Sequence, residues 1–105
     1  MLYYNMTLNF TSTLRLNILE MTDYGKNRLN RKKYSIVDFY HQLENIYQFA
    51  DQKPTKEDIE NALQYLIDRS LLDKLEMGDV FVYAINEEGR ELLQLLNEGD
   101  DTAII

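Results

Sequence analysis

The sequence predicts an α+β fold, mainly α with one small β-hairpin, and two passages carry that prediction. Ile36, Phe39, Tyr40, Leu43, Ile46, Tyr47 and Ala50 recur at spacings of three and four and form the stripe of a core-facing helix. Further on, a polar-capped amphipathic stretch from Thr55 runs into Leu71-Leu72-Asp73-Lys74-Leu75, then Glu76-Met77-Gly78-Asp79, then Val80-Phe81-Val82-Tyr83-Ala84-Ile85. The enrichment in β-branched and aromatic residues around one glycine reads as a two-stranded hairpin with Gly78 in its turn. At 105 residues and 45% hydrophobic content the chain suits one domain.

In chain order, residues 1–11 are an N-terminal arm or strand. Leu2, Tyr3, Tyr4, Met6, Leu8 and Phe10 fit an added strand, a dimer arm or an ordered N-terminal segment equally well. Phe10, Leu14, Ile18 and Met21 share one helical face, whereas Leu14, Leu16 and Ile18 also alternate as a strand does. A helix from about Ser12 to Thr22 is preferred, because Ser12 or Thr13 suits its cap and Gly25 its end. The next helix starts at Ser35, with Asp38 three residues on as a capping-box partner, and ends near Phe49 or Ala50.

Asp51-Gln52-Lys53-Pro54 supplies a turn, since the residue before proline disfavours helix. Thr55 then caps a helix whose first turn holds Glu57 and Asp58, where the helix dipole favours acids. Ile59, Ala62, Leu63, Leu66 and Ile67 make its buried stripe, leaving Glu57, Asn61, Gln64, Tyr65 and Asp68 outward. Two helices joined by a four-residue turn make a helix-turn-helix. After the hairpin, Asn86 caps a helix to about Asn97, with Leu92, Leu93, Leu95 and Leu96 over a broad apolar arc and Gly99 as its stop. Residues 99–105 read as a frayed acidic and apolar tail.

Composition bounds the function. Zero cysteines exclude a disulfide framework, a thiolate metal site and a catalytic thiol. No run approaches the roughly 18 apolar residues of a membrane span. Asn5, Thr7, Asn9, Thr11 and Ser12 break up the N-terminus, so no secretory signal is expected and the expected location is cytoplasmic. Net charge is −7, yet Lys26, Arg28, Arg31, Lys32 and Lys33 form a basic segment with no acid among them. Such a run is commonly a solvated connection; it also suits phosphate contact through counterion release.

Enzymatic chemistry is not expected. His41, the only histidine, falls away from the apolar stripe of its helix, and Glu98, Asp100 and Asp101 read as an acidic tail rather than a cation site. There is no Gly-rich phosphate loop, histidine pair or nucleophile elbow. The expectation is therefore no catalytic residue, no metal and no cofactor. Of the eight tyrosines, Tyr40, Tyr47 and Tyr83 fall on apolar faces and read as packing, while Tyr65 lies at the edge of an outward face.

Ala62-Leu63-Gln64-Tyr65-Leu66-Ile67-Asp68-Arg69-Ser70-Leu71-Leu72 and Ile85-Asn86-Glu87-Glu88-Gly89-Arg90-Glu91-Leu92-Leu93 resemble the winged helix-turn-helix superfamily, particularly PadR- and MarR-like bacterial regulators. The first resembles the end of their recognition helix and the start of the wing, where that family usually has glycine at the Ser70 position. The second resembles the capped start of their post-wing helix. The resemblance spans residues 35–97 and implies a winged helix-turn-helix domain over residues 12–98. It further implies a small DNA-binding protein, a transcriptional regulator acting as a dimer.

In that family the second helix of the motif enters the major groove, so Thr55, Lys56, Glu57, Asn61, Gln64 and Tyr65 are the matching positions. Asn61 and Gln64 have the amide chemistry to pair with adenine, and Lys56 suits phosphate or guanine. Lys26, Arg28, Arg31, Lys32 and Lys33 would anchor the backbone, and Leu92, Leu93, Leu95 and Leu96 would either form a homodimer surface or complete the monomer core. The departure lies in charge. Glu57, Asp58, Glu60 and Asp68 make the second helix acidic, and the wing tip Glu76-Met77-Gly78-Asp79 lacks the arginine or lysine of DNA-contacting wings. Charge thus favours the alternative, a winged-helix module that binds a protein and no DNA.

Overall fold

Asn9, rather than Ser12 or Thr13, caps the first helix: its side-chain oxygen accepts from the Ser12 amide at 2.8 Å. The computed structural model describes residues 9–23, 33–99 and 105. Within them the chain runs α1 (Phe10–Thr22), β1 (Tyr34–Ser35), α2 (Ile36–Ile46), α3 (Lys56–Asp68), β2 (Leu72–Met77), β3 (Val80–Ile85) and α4 (Glu87–Asn97). The helical reading of residues 12–22 holds over the strand alternative, because Leu14, Ile18, Leu19 and Met21 bury one helical face. Gly25, expected as the stop, lies outside the described residues. α1 is already finished at Thr22, and the Asp23 amide closes its last turn on the Leu19 and Glu20 carbonyls.

α2 begins as its sequence predicts. Ser35 Oγ accepts from the Asp38 amide at 3.3 Å while an Asp38 carboxylate oxygen accepts from the Ser35 amide at 3.0 Å. Its end comes earlier than expected, at Ile46. Tyr47 leaves helical geometry at φ −98 and ψ 12 and turns inward, its ring edge-on to Phe10 at 6.0 Å and its hydroxyl accepting from the Asn17 amide at 2.8 Å. Ile46 and Ala50, placed on the buried stripe by their spacing, are consequently exposed, and Phe49 stands 92% exposed.

The same reciprocal cap opens α3. Thr55 Oγ1 accepts from the Asp58 amide at 3.0 Å, and the Asp58 carboxylate accepts from the Thr55 amide at 2.9 Å. Its C-terminus closes by the Schellman pattern, with the Ser70 amide on the Ile67 carbonyl and the Leu71 amide on the Leu66 carbonyl, both at 2.9 Å. That pattern needs a left-handed residue after the cap, and Ser70 supplies it at φ 61.

β2 and β3 pair antiparallel from Leu72↔Ile85 to Met77↔Val80 around Gly78, whose φ of 65 suits the first central position of a two-residue turn. β1, which the periodicity of residues 34–35 does not reveal, pairs with β3 through Tyr34↔Tyr83 and Ser35↔Val82, giving the order β1-β3-β2. Two residues are too short a run for alternation to register, so only the tertiary pairing makes them a strand.

The core lies between α1, α2, α3 and the inner sheet face. Ile18, Leu19, Phe39, Leu43, Leu66 and Leu72 are fully enclosed, and Tyr34 stacks on Phe39 at 5.3 Å. Ile105 departs from the expected frayed tail: it is buried, and its backbone oxygen accepts from Ser12 Oγ at 3.2 Å. No helix among the described residues is long and apolar enough to cross a membrane.

Candidate interaction surface

α3 presents Lys56, Glu57, Glu60, Asn61, Gln64 and Asp68 to solvent. Four of these are already engaged by neighbours. Gln64 donates to the Asp68 carboxylate at 2.8 Å, and Glu60 accepts from the Tyr40 hydroxyl at 2.9 Å. Lys56 holds its ammonium 5.3 Å from the Tyr40 ring centre, within cation–π range. Burial, and then the Glu60 carboxylate, push the Tyr40 phenol above its ordinary range. The first-turn end of α3 thus offers a small charged platform, and Asn61 is exposed.

Tyr65, placed on the edge of the outward face by sequence, is turned against α1. The Arg15 guanidinium lies 3.4 Å from the centre of its ring, and Arg69 donates to its hydroxyl at 2.8 Å. Arg15 Nε is buried with no hydrogen-bond partner among the described residues, and the aromatic face is what stabilises its charge. A contact between residues 50 positions apart leaves no periodic signature, so the sequence alone does not show it. Tyr65 joins α3 to α1 and has only part of its surface left for a partner.

Between α3, the start of α2 and the hairpin lies an open groove of about 540 Å³. Val37, Leu63, Ile67 and Phe81 supply apolar walls, and Glu60, Gln64, Lys74 and Asp79 supply polar ones. Lys74 rests its ammonium 4.2 Å from the Phe81 ring centre. The hairpin beside the groove is unusually apolar for a solvent-facing element: Met77 is 49%, Val80 55% and Phe81 48% exposed. Burying a side chain of this kind is worth roughly 1.5–3 kcal/mol, so leaving three half-uncovered forgoes several kcal/mol. For Val80 the signal was present in the sequence, since Val80-Phe81-Val82-Tyr83-Ala84-Ile85 is apolar at both parities while a small domain covers only one sheet face; Phe81 shares the covered face with Tyr83 and Ile85 and is exposed because it lies near the hairpin turn.

Of the basic segment, Lys26, Arg28, Arg31 and Lys32 lie outside the described residues, and Lys33 is exposed two positions before Ser35, which lines the groove. The residues from Lys56 to Ile85 hold three cations against seven acids. Thr55 is committed to its capping box.

The four leucines of α4 separate. Leu93 is 2% exposed and belongs to the core, which removes it from any dimer surface. Leu92 and Leu96 pack against that core, and Leu95 remains 41% exposed. The arc therefore serves mostly to close the monomer. His41 is exposed, and no group of three histidine, aspartate or glutamate side chains suited to a metal ion occurs among the described residues. The chain matches no protein-family model and no curated protein.

Proposed function

We propose that the chain is a winged-helix module that binds a protein segment in the groove between α3 and the hairpin. The helices α1 to α3, the capping box that opens α3, and the hairpin following α3 support the winged-helix reading, although the connection between α2 and α3 spans residues 47–55 and is longer than the four-residue turn expected. The observation that carries the function is the hairpin itself: apolar at Met77, Val80 and Phe81, acidic at Glu76 and Asp79. DNA phosphates would meet carboxylates there and leave the apolar side chains unburied. A partner segment with an aromatic or aliphatic anchor flanked by lysine or arginine satisfies both features, the anchor against Phe81 and the cations toward Glu60 and Asp79.

Selection of random peptides on the immobilised chain tests this reading. Enriched peptides should carry an apolar anchor with adjacent cations, and Phe81→Ser should weaken them by tenfold or more, about 1.4 kcal/mol. Enrichment of acidic peptides, or binding indifferent to Phe81→Ser, overturns the assignment.

Duplex DNA is the second reading, favoured by the basic segment that leads through exposed Lys33 into the groove's rim. Five phosphate contacts would give a salt slope of roughly −4 to −5. Anisotropy titration with random duplex at low salt decides: binding with that slope, lost on charge reversal of Arg31, Lys32 and Lys33, would put DNA first.

A further inference from the structure

β2 is an edge strand. The sheet order β1-β3-β2 leaves its outer side open, and among the described residues no strand pairs with it. It runs six residues without proline, and Leu75 and Met77 on its outer face stay 38% and 49% exposed. An open edge of that length is a template for another strand. Asp73, Lys74 and Glu76 restrict which strand it accepts.

The hairpin's own ladder says which backbone groups are free. Met77 and Val80 flank the two-residue turn, and in such hairpins the closing residues exchange both of their hydrogen bonds. Hydrogen-bonded and non-hydrogen-bonded pairs alternate from there, so Asp73, Leu75 and Met77 direct their amides and carbonyls at β3. Lys74 and Glu76 direct theirs outward.

A second copy of β2 laid antiparallel about a two-fold axis through Leu75 sets Lys74 opposite the partner's Glu76, and Glu76 opposite the partner's Lys74. These are the positions whose backbone groups point outward, so the ladder and the charges select one register. An axis through Lys74 would oppose lysine with lysine, and one through Glu76 would oppose two carboxylates, both destabilising. At the axis, Leu75 faces the partner's Leu75 as a close non-hydrogen-bonded pair. The Lys74 ammonium already lies over the Phe81 ring, on the same sheet face as Glu76.

We propose that the chain forms a two-fold dimer through β2, joining two three-stranded sheets into one of six strands. This dimer does not depend on the winged-helix or protein-binding reading. It places the interface on the hairpin edge rather than on the α4 leucines, and it sets two grooves side by side.

The test is the concentration dependence of mass by sedimentation equilibrium, from roughly 1 to 200 μM, a range that captures dissociation constants typical of small interfaces. The full chain should approach twice its 12.5 kDa mass. Glu76→Pro removes one outward amide and none of the bonds to β3, so it should weaken dimerisation about tenfold or more while the far-ultraviolet spectrum of the dilute protein is unchanged. Lys74→Glu should weaken it to a similar extent by opposing like charges across both symmetric pairs. Lys74→Glu combined with Glu76→Lys in one chain restores opposite charges and should return the affinity to about the original. An equimolar mixture of the two single variants should form a heterodimer. A monomer throughout the range, a dimer indifferent to Glu76→Pro, or a double variant as weak as the singles each overturn the proposal.

Discussion

The side-chain amide of Asn86 donates to the Ser70 carbonyl oxygen at 2.8 Å, tying the residue that caps α4 to the residue that terminates α3. The same amide lies 3.2 Å from an Asp73 carboxylate oxygen, and the Asn86 side-chain oxygen accepts from the Gly89 amide at 2.9 Å. One side chain thus fixes the base of the hairpin at both ends. Asn86→Ala should lower stability by about 2 kcal/mol, the upper range for a lost helix cap, because a carbonyl partner goes with it. Urea denaturation at neutral pH measures this, and a loss under about 0.5 kcal/mol would show that water replaces the amide at little cost.

Ser70 holds φ 61 to complete the Schellman turn of α3, a region that costs a residue with a Cβ roughly 1 kcal/mol. Its peptide groups make the bonds to Ile67 and Asn86 whatever the side chain is. Ser70→Gly should therefore stabilise the fold by about 0.5–1 kcal/mol despite adding freedom to the unfolded chain. A lower denaturation midpoint would mean that the serine hydroxyl contributes more than the strain removes.

Gly89 sits in the first turn of α4 against the base of the hairpin. A Cβ there would overlap the Leu71 carbonyl oxygen and come within 2.7 Å of Ile85 Cγ1. Alanine is the better helix former by about 1 kcal/mol, so propensity and packing oppose each other at this site. Overlap with backbone is the larger effect. Gly89→Ala should destabilise by about 1–3 kcal/mol net, read as a fall in thermal midpoint.

Alkaline pH provides a further test. Burial raises the phenols of Tyr40, Tyr47 and Tyr83; Glu60 adds to the effect at Tyr40 and Tyr83, and the Asn17 hydrogen bond opposes it at Tyr47. Their folded values lie above the unfolded one, so their contribution is complete below about pH 10 and is lost as pH rises through the folded values. The urea midpoint should hold near pH 8–9 and fall above about pH 10, with phenolate absorbance rising in step with unfolding. Tyr47→Phe should make that fall shallower, and an unchanged slope would exclude Tyr47 as a contributor.

Caps and periodic stripes were legible because they are local. The Ser35–Asp38 and Thr55–Asp58 boxes need partners only three residues apart, and the β2–β3 register follows from a two-residue turn. At α1 three polar residues compete locally and Asn9 takes the cap; the other differences fall where a distant side chain competes with local preference. α2 ends at Ile46 because Tyr47 reaches Phe10 and Asn17 across the core, and nothing between residues 40 and 50 encodes that.

For the candidate surface the division is the same. Charge is additive along a chain, so the acidity of residues 56–85 and the cationic run of residues 26–33 were readable without coordinates. Exposure is a property of the assembled solid. Only packing decided that Leu93 enters the core and Leu95 does not, and that Tyr65 is claimed by Arg15.

The amino-acid sequence by itself determined the helices, the hairpin and the sign of the field around them, since each arises from residues within a turn or two of one another. The tertiary structure decided which apolar side chains were left over. α1, α2 and α3 cover one face of a sheet whose central strand β3 is apolar on both, so Val80 and its cross-strand neighbour Met77 stay on the open face, and Phe81, at the hairpin end of the covered face, is left half exposed beside an open strand edge.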